Sequence, residues 1–147
     1  MKVKECMSNN VVCANPGWTV KETAKLMEKE RVGCVPVCDD SKKIVGLVTD
    51  RDLVLRTIAC NKDPNTTPIS EVMTTEICKI SPDSEVSEAG KVMSKWQVRR
   101  VPVIEDNQIV GIITVGDLAN HGEVSSNIVG GTFKGICNHD HQPRNNC

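Results

Sequence analysis

Aromatic residues are almost missing from this chain: 147 residues include one Phe, no Tyr and two Trp. Proteins that bind single-stranded nucleic acid stack the bases on aromatic rings. This chain hardly can, so no nucleic-acid partner is expected, and the core must be built from Val, Ile, Leu, Met and Cys. A polybasic tract is missing as well, and the net charge is −1. That removes the electrostatic footprint of nonspecific binding to nucleic acid or to a membrane surface. The N-terminal MKVKECMSNN has no apolar signal region, and no apolar run approaches the length needed to cross a bilayer. The expected location is cytoplasmic. A catalytic constellation is also absent. His121 is the one His outside the C-terminal tail, and no Ser, Cys or Lys has a recognisable base and orienting acid near it in sequence. Asp50-Arg51-Asp52 resembles a metal-binding acid pair, but Arg51 and the helical position favour a solvated helix start. The chain therefore reads as a non-enzyme.

What is present is an ordinary globular composition, 39% hydrophobic and 25% charged, with eight Cys. The length allows one domain with a real core or two very small ones. In a reducing compartment disulfides are not the default, so most of these Cys read as small core hydrophobes. Cys34 and Cys38 flank Val-Pro-Val on one strand. Four apart, they face the same side but lie too far apart for a disulfide with each other, which again suggests packing.

A repeat organises the chain. KIVGLVTDRDL, from Lys43 to Leu53, returns as QIVGIITVGDL, from Gln108 to Leu118. With Met7 set against Met73, Pro16 meets Pro82, Val20 meets Val86, Glu22 meets Glu88 and Met27 meets Met93. GCVPVCDD (Gly33 to Asp40) meets RRVPVIED (Arg99 to Asp106), and the second copy then loses one loop residue. The expected division is repeat 1 over 1–60, a linker over 61–71, repeat 2 over 72–122 and a C-terminal tail over 123–147. Within the linker, NKDPNTTPIS carries two Pro and no apolar periodicity. Each repeat reads as β-α-β-β-α. The first strands surround Val11–Cys13 and Ile77–Ile80. Helices follow, the first opened by a capping box at Thr19-Val-Lys-Glu22. Strand pairs come next, Cys34–Cys38 with Ile44–Thr49 and Val101–Ile104 with Ile109–Thr114. Last helices run over Asp50–Ala59 and Val115–His121. One such unit is near the lower limit of independent stability, so two should share a core.

Two features suit ligand binding. In Thr-x-x-Asp, the Thr ends a strand and the Asp sits in the first turn of the next helix, where free N–H groups favour anions. A Thr hydroxyl there can meet a phosphate, and the Asp can accept two hydrogen bonds, as from a ribose diol. Thr49 and Thr114 equally suit plain N-caps, with Asp52 and Asp117 as first-turn acids. Arg99-Arg100 precedes a core strand and offers guanidinium forks for phosphate, or a solvated loop pair. Its counterpart, Gly33-Cys34, is uncharged, so two sites built on this plan cannot be equivalent.

The two sets together, (Gly/Arg)-x-Val-Pro-Val and Gly-apolar-apolar-Thr-x-x-Asp, resemble the CBS domain, named for cystathionine β-synthase. The resemblance covers about 6–122 and is to a tandem pair of the stand-alone bacterial type. It implies an α/β (α+β) fold of two β-α-β-β-α repeats packed through their sheets with pseudo-two-fold symmetry, and a homodimer. It implies two clefts for adenosine ligands: AMP, ADP, ATP, S-adenosylmethionine or an NAD-type molecule. The first cleft would use Thr114 and Asp117 for phosphate and ribose, Arg99 and Arg100 for phosphate, and Ile112 against adenine. Val32, Gly33 and Cys34 would hold the other side of the base. The second, weaker cleft would use Thr49, Asp52 and Leu47, with Val98 and Arg100 opposite. The ligand would be regulatory, no cofactor would be required, and a downstream protein, unknown from this sequence, would receive the signal.

The tail, GTFKGICNHDHQPRNNC, reads as a mobile segment. Its Cys137, His139, His141 and Cys147 are candidate metal ligands, but their spacing is not that of a zinc finger. Two other functions stay open on this sequence: a redox- or metal-responsive Cys/His protein, and a ligand-free dimerisation scaffold.

Overall fold

The structure is a computed structural model and describes residues 1–138. Along the chain run α1 (Val3–Cys6), α2 (Val20–Glu30), β1 (Cys34–Cys38), β2 (Ile44–Thr49) and α3 (Asp50–Leu53). A π-helical turn over Val54–Ile58 and a 3-10 turn over Ile69–Glu71 follow. Next come α4 (Val86–Trp96), β3 (Arg100–Glu105), β4 (Gln108–Thr114), α5 (Val115–Asn120) and α6 (Ser126–Cys137). The fold is mixed helix and strand, as the motif order implied. No helix among the described residues is long and apolar enough to cross a membrane.

The chain forms two compact units that do not follow the repeat boundaries. Among the described residues, Met1–Val11 joins 78–138, and Val12–Ile77 forms the other unit. Each has an antiparallel pair at its centre, β1 with β2 and β3 with β4. The strands expected at Val11–Cys13 and Ile77–Ile80 shrink to single parallel bridges, Ala14 to Val37 and Ile80 to Val103. The far edge of each pair is taken by a lead-in segment. Ser8 bridges Ile112, and Thr74 bridges Leu47, each antiparallel. Repeat 1's lead-in thus lies on repeat 2's sheet, and repeat 2's lead-in on repeat 1's.

The glycine kept in both copies of Ile-Val-Gly is explained by this exchange. A Cβ on Gly111 would lie 2.5 Å from Met7 Sδ and 3.0 Å from the Ser8 carbonyl. One on Gly46 would lie 2.7 Å from Met73 Sδ and 3.0 Å from the Thr74 carbonyl. Met7 and Met73, the residues that set the repeat register, are thus the ones that need those glycines.

The cores are aliphatic, as the shortage of aromatics required. Val35, Val37, Val48, Ile69 and Val72 fill one, and Val3, Met93, Val101, Val103, Ile113 and Leu118 the other. Trp18, Trp96 and Phe133 all stay exposed. The segment read as a linker is docked: Lys21 and Val20 donate to the carbonyls of Pro64 and Thr67 at 3.0 and 2.9 Å, and Ile69 is fully buried. The helix expected over Asp50–Ala59 starts as α3 and then widens into the π-turn.

The largest departure from expectation lies after residue 122. Residues 126–137 form a helix, not a mobile segment. Ser125 caps it by accepting from Ile128 N. Its Gly content permits close approach to α4. A Cβ on Gly135 would press into Ser94, and Gly90 admits Thr132 in the same way. Ile136 reaches the core.

Candidate functional site

Both Thr-x-x-Asp phrases fold as predicted for helix starts, and both are reciprocal caps. Thr49 Oγ1 accepts from Asp52 N at 3.0 Å, and Thr49 N donates to Asp52 Oδ2 at 3.1 Å. Thr114 Oγ1 accepts from Asp117 N at 3.1 Å, and Thr114 N donates to Asp117 Oδ2 at 2.7 Å. The Thr114 hydroxyl also donates to Asp117 Oδ2 at 2.9 Å. The capping role is therefore real in both copies, and any ligand role is additional to it.

What the two carboxylates have left differs. Asp52 is buried, and Arg56 Nε stands 3.9 Å from its Oδ1. The π-turn carries that Arg56, whose Nη1 also donates to the carbonyls of Val72 and Met73 at 3.2 and 3.1 Å. Thr74 Oγ1 approaches Asp52 Oδ2 at 3.5 Å. Asp52 thereby belongs to a clamp that holds the lead-in segment of repeat 2. Asp117 is half-buried, and its Oδ1 has no hydrogen-bond partner among the described residues. His121 stands where Arg56 does in repeat 1, and its Nδ1 lies 3.0 Å from the Asp117 carbonyl oxygen instead of reaching the carboxylate.

The strand registers bring more of the predicted residues together within each unit. Arg100 is the Cα partner of Thr114, and Pro102 of Ile112. The carbonyl of Arg99 accepts from Val115 N at 2.9 Å. Arg99 is exposed and Arg100 half-buried, and neither guanidinium has an ion-pair partner among the described residues. Thr114, Asp117, Arg99, Arg100, Ile112 and Val98 thus all belong to the unit built around β3 and β4.

In the other unit Cys34 is the partner of Thr49, and Pro36 of Leu47. The carbonyl of Gly33 accepts from Asp50 N at 3.0 Å. The Asp50 carboxylate leans over Gly33, 3.1 Å from where a Cβ would stand. Asp50 stands here where the other unit has Val115, and Gly33-Cys34 where it has Arg99-Arg100, so this end of the sheet carries one more acid and no Arg pair. Val32 is exposed, Leu47 half-buried and Cys34 buried.

Of the tail's candidate metal ligands, Cys137 closes α6 and is exposed, while His139, His141 and Cys147 lie outside the described residues. Arg56 was not picked out from the sequence. Its signal would have been the i, i+4 spacing from Asp52.

Known proteins share this fold and repeat. The CBS domain family model matches residues 3–57 and 69–123. The chain is 40% identical over 117 residues to the CBS domain-containing protein YhcV of Bacillus subtilis, covering 80% of this chain and 82% of that one. The crystal structure of Hypoxic Response Protein I, with two coordinated zinc ions, superposes with a TM-score of 0.76 at 33% identity, over 82% of this chain and 98% of that one. The CBS domain pair of protein MJ0100, in complex with 5′-methylthioadenosine and S-adenosyl-L-methionine, gives 0.73 at 30% identity, over 81% and 97%. A match that takes in both repeats, in order and in register, makes the chain a member of the CBS domain family.

Proposed function

We propose that this protein is a regulatory module that binds an adenosine-containing ligand: AMP, ADP, ATP, S-adenosylmethionine or an NAD-type molecule. The observation that carries the reading is the unengaged half of the Asp117 carboxylate on the strand pair that also bears Arg99 and Arg100. One carboxylate oxygen builds the turn, and the other is open to accept from ribose hydroxyls. Arg99 and Arg100 bring cationic forks suited to phosphate. The adenosine ligands bound by the MJ0100 pair support the choice of ligand class.

In this reading Thr114 orients the carboxylate and Ile112 supplies an apolar face to adenine. Thr49, Asp52 and Leu47 would offer a weaker second set, because Asp52 is already committed to Arg56. Ligand binding would favour one arrangement of the chain over another and so shift its population. A homodimer would pass that shift to a downstream protein.

The test is a mass spectrum of small molecules released from freshly purified protein, followed by calorimetry with AMP, ATP, S-adenosylmethionine and NADH. An adenosine compound should bind wild type and bind Asp117→Ala far more weakly. No binding by wild type, or equal binding by the variant, would sink the reading.

A further inference from the structure

Cys13 and Cys38 meet at the edge of the unit that contains β1. The parallel bridge between Ala14 and Val37 sets them side by side. Ala14 N donates to the Pro36 carbonyl and Cys38 N to the Ala14 carbonyl, both at 2.9 Å. On that frame the Cys38 thiol donates to Cys13 Sγ at 3.2 Å, and both residues are free thiols. A disulfide needs sulfurs about 2.0 Å apart, so closing this pair takes a side-chain adjustment of roughly 1 Å and no rearrangement of the strands.

The other unit shows that the fold does not require thiols here. Its matching bridge has the same hydrogen bonds, Ile80 N to the Pro102 carbonyl at 3.1 Å and Ile104 N to the Ile80 carbonyl at 2.8 Å. Lys79 and Ile104 stand at the positions of Cys13 and Cys38. The dithiol is therefore a feature of repeat 1 and not of the shared scaffold.

We infer that Cys13 and Cys38 form a reversible two-electron thiol–disulfide switch, oxidised by low-molecular-weight disulfides and reduced by low-molecular-weight thiols. The order of events follows from access and charge. Cys13 is half-buried, whereas Cys38 is buried. The hydrogen bond from Cys38 lowers the Cys13 pKa, burial opposes that, and Lys42 adds to the lowering. The same hydrogen bond, then burial, pushes the Cys38 thiol up. Cys13 is thus the first nucleophile. Its thiolate attacks one sulfur of the external disulfide, the S–S bond breaks, and one thiolate leaves. Cys38 then loses its proton to solvent and attacks Cys13 Sγ, expelling the second thiolate. Two protein thiols are oxidised by two electrons, one external disulfide is reduced to two thiols, and the two protons end on those thiols. The product ties the segment around Ala14 to the end of β1.

The full chain should be equilibrated across a series of oxidised to reduced glutathione ratios, quenched with acid, alkylated in denaturant and mapped by mass spectrometry. Cys13 and Cys38 should lose alkylation together, appear as one intrachain cross-linked peptide pair, and regain alkylation after dithiothreitol. Cys78, a buried free thiol, should stay alkylated throughout. Cys38→Ala should stop at the mixed disulfide, with glutathione on Cys13. The inference is overturned if, in wild type, Cys13 and Cys38 stay as alkylatable as Cys78 across the series. It is equally overturned if glutathione caps Cys13 in wild type without the Cys38 cross-link, or if the linkage joins two chains on a non-reducing gel. Because wild type decides the matter, a poorly folding variant would not obscure it.

Discussion

Asp52 and Asp117 close the same turn in two copies of one phrase, yet their surroundings have diverged. Asp52 is buried and held toward Arg56, which also grips the carbonyls of Val72 and Met73. Asp117 keeps one oxygen unengaged, because His121 occupies the equivalent place and turns to a backbone carbonyl. The helices diverge too. In α4, Gly90 and Ser94 receive α6, while the matching residues of α2, Ala24 and Glu28, are exposed. Duplication supplied two similar frames. One carboxylate has become part of the scaffold, and the other remains available for chemistry.

The largest effect should come where the two copies still agree. Gly111→Val and Gly46→Val each force a side chain into Met7 or Met73 and toward a backbone carbonyl. Each should lose about 2–3 kcal/mol in urea unfolding, within the range for overpacking. A harmless outcome at one position alone would show that the two lead-in segments are not equivalent. Next in size is a contrast between the helices. Gly90→Leu should undock α6 and cost about 1–3 kcal/mol, with loss of hydrogen-exchange protection over residues 126–137. Ala24→Leu, at the matching place on α2, should stay within about 0.5 kcal/mol of wild type. Equal costs would mean that α6 is not what makes α4 different.

These contrasts also mark what the sequence could reveal. The repeat register, the capping boxes and the strand pairs were legible because they are local: Thr19 with Glu22, Thr49 with Asp52, and apolar alternation in β2 and β4. The destination of Met7 and Met73 was not. The glycines of Ile-Val-Gly announce a close approach, but nothing local says what approaches. Helix α6 was missed because SNIVGGTFKGIC is poor in helix formers and rich in Gly. Its order comes from tertiary packing on α4, which the composition does not display. The candidate site was legible as residue types, whereas the different engagement of Asp52 and Asp117 depended on Arg56 and His121, each one turn further along.

A smaller effect separates the two lead-in segments. Lys2 bridges Glu85 and Lys4 bridges Asp83, each at 2.6 Å. The matching bridge in the other unit joins Pro68 to Thr19 and carries no charge. Hydrogen bonds from Lys2 and Lys4 hold the Glu85 and Asp83 carboxyls below their ordinary values. A carboxyl depressed on folding contributes its stabilisation above its unfolded value and loses it as pH falls through the folded one. Residues 1–6 should therefore lose exchange protection in acid below the ordinary carboxylate range, and in high salt, while residues 67–70 should not. These pairs are exposed, so the global unfolding midpoint should barely move.

The central claim is that the two carboxylates are unequal as ligand groups, and calorimetry on two matched variants tests it most directly. Asp117→Asn and Asp52→Asn both keep a side-chain oxygen for the cap and remove the charge. Titrated with the adenosine ligand recovered from purified protein, Asp117→Asn should lose at least tenfold in affinity, while Asp52→Asn should bind within a few-fold of wild type. Equal losses in the two variants, or a greater loss in Asp52→Asn, would contradict the account.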